Sequence, residues 1–400
     1  MRPLASSITR LSRLLTADNL SLLDTQGYLA IDHALPAQTA QQLHDEIVHC
    51  YDAGHMDSNH TAYVQSHRTP LPASEEEEKQ QAEGAAGPVI TQLFSKPNIY
   101  EAELLPAMLD NSSITIPTLS ALSSHLLPWL DSYLAELLPS LLLYSGHSSI
   151  KLQLNTGNGS FPFHYDSPGN RTDTRRLTVL LYLNSAWREG DGGEMVLQGW
   201  LQQRVKVAPV MNRLLIFRSD RLLHRVEPSH TRRVCLTMWL HGRGCDPPLP
   251  ALDEAGGGEE EGRLLAVLSH PAYQRSLSKV LYADEWRTSY AHAHRGSGAD
   301  ELIASLDEDV RRLIAGEKGV RRLVGLLQEV VDEKAKSESV RGWGQGDVDG
   351  GEVEEEEDKA DEAAGDENQP TSTAASEKQA DSSVQLREVS VEECDFLDFL

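Results

Sequence analysis

Phe161-Pro-Phe-His-Tyr-Asp166 is a short extended segment in which an imidazole and a carboxylate stand two residues apart. Side chains two apart on a strand point to the same face, so His164 and Asp166 can approach one metal ion together. A third ligand would have to come from elsewhere in the chain. Two histidines and one carboxylate leave three positions open on a non-haem iron(II), room for a bidentate co-substrate and oxygen. Taken alone, a His-x-Asp pair in a chain with 15 histidines is weak and more often marks a surface turn.

On either side of this segment the sequence consists of short apolar runs separated by turn residues. The runs are 149–155, 161–165, 176–184, 194–198, 203–207, 213–218 and 232–241, with breaks such as Gly190-Asp-Gly-Gly193. Seven or so strands at this spacing predict an all-β sandwich or jelly roll. Within it, Asn212-Arg-Leu-Leu-Ile-Phe-Arg-Ser-Asp-Arg221 is a buried strand and turn, and His224 opens the next short strand. Strands far apart in sequence lie side by side in a jelly roll, so His224 is a candidate third ligand despite its distance from His164. Arg233 begins the last strand and faces the same way as Cys235, Thr237 and Trp239 by alternation. A guanidinium pointing into a sandwich is costly unless it meets a carboxylate. That partner is either a bound co-substrate, held by a planar two-pronged pair, or a structural glutamate.

The ordered series Gly157-Asn-Gly159, His164-x-Asp166, Leu181-Tyr-Leu-Asn184, Asp191-Gly-Gly193, Asn212-Arg-Leu-Leu-Ile-Phe217, Ser219-Asp-Arg221, His224-x-Val226-x-Pro228 and Arg233 resembles a known family. It is similar to the catalytic domain of prolyl 4-hydroxylase-type iron(II)/2-oxoglutarate-dependent dioxygenases, particularly the EGL-nine-like, oxygen-sensing branch. The entry Gly27-Tyr-Leu-Ala-Ile-Asp32, followed by a helix from Pro36, is similar too, so the resemblance spans roughly residues 20–242. It implies a double-stranded β-helix (jelly roll) in which His164, Asp166 and His224 bind Fe(2+). It further implies that Arg233 and Tyr182 hold the 2-oxoglutarate carboxylate, while Thr237 and Trp239 line the inner wall. The implied reaction consumes O2 and 2-oxoglutarate, releases succinate and CO2, and hydroxylates a prolyl residue of a protein or peptide, with L-ascorbate as reductant. Two positions depart from the oxygen-sensing enzymes. Asn155 stands where they carry a tyrosine, and the turn between Arg221 and His224 is one residue shorter. The presence of Asp166 argues against the halogenase variation, in which the carboxylate is missing.

The charge is unevenly spread. Residues 341–400 hold 19 acidic against 4 basic side chains, so they carry most of the net −25. They predict a disordered acidic tail, too charged and too poor in large apolar groups to bury a core. An acidic chain is repelled by DNA and anionic membranes, so neither is an expected partner. There is no apolar run long enough for a membrane span. Cys50, Cys235, Cys245 and Cys394 are sparse and form no CxxC pair, which fits a reducing compartment, cytoplasmic or nuclear. Met1 to Thr16 carries Arg2, Arg10 and Arg13 and no acid; it reads as an amphipathic helix, with an organellar import segment as the alternative.

The expected organisation is an N-terminal segment over 1–19 and the dioxygenase domain over 20–242. A linker over 243–262, a helical extension over 263–340 and the tail follow. Inside the domain, residues 27–35 predict a strand, and Ala40, Leu43, Ile47, Val48 and Tyr51 give the helix from Pro36 its apolar face. Residues 69–88, with Glu75 to Glu78, read as a flexible surface loop. The leucine-rich stretch 116–143 predicts one or two helices interrupted near Pro128 and Pro139. His147, His230 and His241 read as surface or satisfied groups. The last residues, Glu393-Cys-Asp-Phe-Leu-Asp-Phe-Leu400, form a candidate docking motif for a partner groove. Two other functions remain compatible with the sequence. One is oxygenation of a different side chain or of a small metabolite. The other is a non-catalytic interaction scaffold working through the helical and acidic C-terminal part.

Overall fold

The computed structural model describes residues 2–65, 90–109, 114–167, 174–243, 268–315, 324–325, 327–329 and 331. Its strands form two facing antiparallel sheets. The major sheet has the order β1-β9-β6-β11-β4-β3-β2 and the minor sheet the order β5-β10-β7-β8. The major strands are β1 (Tyr28–Ile31), β2 (Asp57–Gln65), β3 (Ile90–Glu103), β4 (Leu143–Asn155), β6 (Arg175–Tyr182), β9 (Arg213–Arg218) and β11 (Arg233–Gly242). The minor strands are β5 (Phe161–His164), β7 (Met195–Gln198), β8 (Arg204–Val207) and β10 (Leu223–Val226). Apart from the β7–β8 hairpin of the minor sheet, successive strands from β4 to β11 alternate between sheets, which is the jelly-roll arrangement expected from the sequence.

Period-two patterning decides which side chains go where. Leu152 and Leu154 of β4, Leu177, Val179 and Leu181 of β6, and Leu236, Met238 and Leu240 of β11 face outward and are buried in one large apolar cluster. That cluster is completed by Leu11 and Leu15 of the first helix region, by Leu43 and Ile47 of helix Ala37–Asp52, and by Leu130 and Leu134 of helix Leu127–Leu137. The opposite side chains, Leu180, Tyr182, Leu215, Phe217 and Cys235, meet Met195, Leu197 and Val226 between the sheets. Phe163, Val196 and Leu223 point out of the minor sheet onto Leu277, Leu281, Tyr282 and Trp286. These belong to helices Pro271–Leu281 and Ala283–Ala293, which helix Ala299–Ala315 follows. Both outer faces are therefore roofed by helices, and only the space between the sheets is left for chemistry.

Several elements differ from expectation. The first strand stops at Ile31, because His33 takes a positive φ of 53° and Asn212 binds both backbone groups of Leu35. Pro128 does not break the helical run. It follows a π-turn over Leu122–Leu126 and sits in the first turn of the next helix, where its missing N–H costs least. Strands β2 and β3 form a long hairpin at the edge of the major sheet that the sequence did not advertise. Its strand β3 contains Pro97 and a positive-φ Asn98 beside a register shift, and its polar surface hides the alternation. The 69–88 insertion, the acidic tail and the terminal docking motif lie outside the described residues, as does nearly all of the linker.

Candidate active site

His164 and His224 face each other as register partners on β5 and β10. Their rings lie 4.2 Å apart between centroids. Each ring is fixed in the same way. The Nδ1–H of His164 donates to the Pro162 carbonyl at 2.9 Å, and that of His224 to the Leu222 carbonyl at 3.0 Å. Both Nε2 atoms are thereby left as acceptors turned toward Asp166, at 3.6 Å from Oδ1 and 3.7 Å from Oδ2. One ligand atom from each of the three residues falls within 4.8 Å of the others. The carboxylate is itself held by the Thr178 hydroxyl at 2.6 Å, and Thr178 is bonded to Ser219 at 2.8 Å. A carbonyl behind each histidine and a hydroxyl behind the carboxylate are the outer partners that orient metal ligands.

The protonation states suit a metal as well. Burial, with His164 beside it, pushes the His224 imidazole down to about 4, so it is neutral at neutral pH. Burial raises the Asp166 carboxyl, but His224, His164 and Thr178 outweigh it and hold the group well below the usual carboxylate range. Neutral imidazoles and an ionised carboxylate are the forms that bind a divalent ion. His224 and Asp166 are buried, whereas His164 presents a part-exposed edge to a cleft of about 900 Å³. Lys96, Lys151, Arg175, Trp239 and Tyr290 also line that cleft.

A second polar group lies on the inner face of the major sheet. Arg233 is 2% exposed, and its donors reach only neutral acceptors. Nε donates to the Gly193 carbonyl at 3.0 Å, while Nη1 reaches Gln153 Oε1 at 3.2 Å and Cys235 Sγ at 3.3 Å. Gly193 has no substitute here: φ is +77°, and a Cβ would come within 3.0 Å of Arg233 Cδ and 2.9 Å of Ser229 Oγ. Arg233 Nη2 and Tyr182 Oη are buried without a hydrogen bond of ordinary geometry. The guanidinium sits 5.1 Å from the Tyr182 ring centroid. Burial raises the phenol, which therefore stays protonated and able to donate. Among the described residues no carboxylate lies within ion-pair distance of Arg233, so the structural-glutamate alternative finds no partner there. A buried cation and phenol with donors to spare fit the distal carboxylate of a 2-oxo dicarboxylic acid. Phe217 links the two groups, packing edge-on to His224 at 4.7 Å and sharing the inter-sheet cluster with Tyr182 and Cys235.

Thr237 is buried one step along β11, opposite Leu180 and Lys151. Trp239 reaches the cleft between Lys151 and Arg175, its indole nitrogen buried without a partner. Asn155 takes no part in either polar group. It closes the Gly157–Gly159 turn, donating to the Gly159 carbonyl at 2.8 Å and accepting from Gly157 N at 2.9 Å and Gly159 N at 3.2 Å. His241, expected to be a surface or satisfied group, is bonded to Thr174 at 2.9 Å and also lines the cleft. Thr178, Gln153 and Lys96 went unnoticed in the sequence, although Thr178 alternates with Leu180 and Tyr182 and was in principle readable.

Comparison with known proteins agrees with this arrangement. Residues 151–241 match the model of the 2OG-Fe(II) oxygenase superfamily. Over 89 residues the chain is 38% identical to prolyl hydroxylase EGLN3 of Mus musculus, which covers 21% of this chain and 36% of that protein. The match thus spans little more than a third of that curated relative. A solved prolyl 4-hydroxylase of Phytophthora capsici superposes with a TM-score of 0.62 at 29% identity, covering 81% of this chain and 95% of the other. The likeness to prolyl 4-hydroxylase-type dioxygenases read from the sequence holds in both sequence and fold. No helix among the described residues is long and apolar enough to cross a membrane.

Proposed function

We propose that the protein is an iron(II)- and 2-oxoglutarate-dependent dioxygenase that hydroxylates a prolyl residue of a protein or peptide, releasing succinate and CO2. The observation that carries this reading is the pairing, within one inter-sheet space, of a His-Asp-His cluster with a buried arginine and tyrosine that each keep one donor atom without a partner. The prolyl target follows from the likeness to EGLN3 and to the Phytophthora enzyme. A scaffold would have no use for such a costly interior group.

In this reading His164, Asp166 and His224 hold the iron, and Arg233 and Tyr182 take the distal carboxylate of 2-oxoglutarate, with Thr237 on the wall. Iron(II) with 2-oxoglutarate and O2 supplies the oxidising power to hydroxylate an unactivated C–H bond. The protein's share is geometric. The Pro162 and Leu222 carbonyls keep both Nε2 atoms forward, and the Thr178 proton orients Asp166. Leu180, Leu197 and Phe217 keep water from the interior, and the cleft beside His164 admits the target. Ascorbate would keep the iron reduced between turnovers. Buried, unpaired Cys50 and Cys235 suit a reducing compartment, cytoplasm or nucleus.

The test is to screen proline-containing peptides with iron-loaded protein, 2-oxoglutarate and O2. Hydroxylation is read by mass spectrometry as a gain of one oxygen on proline, with equimolar succinate. Succinate production coupled to oxygen gain on another residue would replace the prolyl target. No consumption of 2-oxoglutarate with any candidate, or without one, would count against the enzyme class.

A further inference from the structure

We propose that Gln153 is a positioning residue: backed by Glu101 and Lys151, it anchors the Arg233 guanidinium through a neutral acceptor and leaves one donor edge free for the distal carboxylate of 2-oxoglutarate. This rests on the dioxygenase reading above and adds a residue that the motifs do not include. Alternation along β4 puts Lys151, Gln153 and Asn155 on the inner face, while Leu152 and Leu154 enter the outer core. Register then sets Gln153 between Cys235 of β11 and Glu101 of β3.

The amide is held from both ends. Its Oε1 accepts from Arg233 Nη1 at 3.2 Å and from the Cys235 thiol at 3.4 Å. Its Nε2 donates to Glu101 Oε1 at 2.9 Å, and the other oxygen of Glu101 takes Lys151 Nζ at 3.2 Å. Rotating the amide by half a turn would set two donors against each other at Arg233 and two acceptors against each other at Glu101. Glu101 therefore dictates that oxygen faces the arginine.

The choice of an amide matters because the guanidinium must be fixed without being neutralised. Gly193 O and Gln153 Oε1 both anchor it, and neither carries charge. A carboxylate at position 153 would pair with Arg233 and compete with the co-substrate. An apolar side chain would leave Nη1 with only the weak Cys235 sulfur as acceptor and free the head group to turn. Lys151 lines the cleft beside His164, and Glu101 lines a neighbouring pocket that shares Lys151, so the chain runs from the wall where a target would lie to the group that would hold the co-substrate.

Anaerobic titration of iron(II)-loaded protein with 2-oxoglutarate, read from the visible charge-transfer band of a chelated 2-oxo acid, tests this. Gln153→Met, close in volume, should weaken 2-oxoglutarate about tenfold, the worth of one hydrogen bond to a charged group. Gln153→Glu should weaken it further. Neither variant should change the affinity for 2-oxobutyrate, which chelates iron but has no distal carboxylate. If a Gln153 variant fails to fold, Glu101→Gln replaces it and should give a several-fold loss with the same selectivity. Unchanged 2-oxoglutarate affinity, or equal weakening of both 2-oxo acids, would overturn the positioning role. Wild-type protein that binds iron but gives no band with 2-oxoglutarate would instead strike the dioxygenase reading, and this inference with it.

Discussion

On the minor sheet, His164 and His224 each spend their second ring nitrogen on a backbone carbonyl, and Asp166 is held by a hydroxyl. On the major sheet, Arg233 and Tyr182 each keep a buried donor atom without a hydrogen bond of ordinary geometry in the described chain. The first group is finished by the protein and presents a formed set of ligands. The second is finished only when a carboxylate arrives. Metal binding should accordingly be insensitive to the major-sheet group, whereas co-substrate binding should need both. Thr178 bridges the two sheets, since it sits on β6 and bonds Asp166.

The largest effect should come from removing a ligand of the finished group. Asp166→Ala is expected to cut iron(II) affinity by more than about a hundredfold, beyond the range of outer partners, as measured by competition with a chelating dye. Iron affinity close to wild type would mean that the histidines alone make the site. A smaller and more selective effect is expected at the unfinished group. Tyr182→Phe deletes a single buried donor and should weaken 2-oxoglutarate by roughly tenfold while iron affinity stays level. Equal loss of both in calorimetry would make Tyr182 a packing residue.

The effect furthest from the chemistry, on stability alone, concerns the hairpin edge of the major sheet, where the cleft is walled by the C-terminal helices. His294 donates from Nδ1 to the Ser95 carbonyl and accepts at Nε2 from Thr61, both at 3.2 Å. Burial, with Lys96 nearby, pushes its imidazole down to about 4. An unfolded chain takes up this proton below about pH 6.5, while the folded one resists until about pH 4, so stability is lost as pH falls through that window. Replacing His294 with Gln should flatten the denaturation profile there by about 1–2 kcal/mol. An unchanged slope between the two proteins would assign the pH dependence elsewhere.

The same contrast explains what could be read in advance. The β strands and the His-x-Asp pair were legible because period-two alternation is local, and β4 to β11 bury the faces it indicates. Arg233 stood out because a charge in an apolar strand needs a reason. Gln153 was silent: its role depends on Glu101 and Arg233, which reach it only through register across three strands. The β2–β3 hairpin was hidden by polar residues and by the insertion that divides it. Asn155 departs from a family tyrosine, and its side chain secures a glycine turn, a contact that spacing alone does not reveal. Where a contact depends on which strands are neighbours, sequence spacing alone does not contain it.

The division of labour between the sheets is tested most directly by Arg233→Ala, measured with His224→Ala in one anaerobic titration of iron(II) followed by 2-oxoglutarate. Arg233→Ala should bind iron as the wild type does and lose 2-oxoglutarate affinity by about a hundredfold, the scale of a buried charge-assisted pair. His224→Ala should bind neither. Loss of iron in Arg233→Ala, or undiminished 2-oxoglutarate binding by it, would contradict the assignment of the two groups.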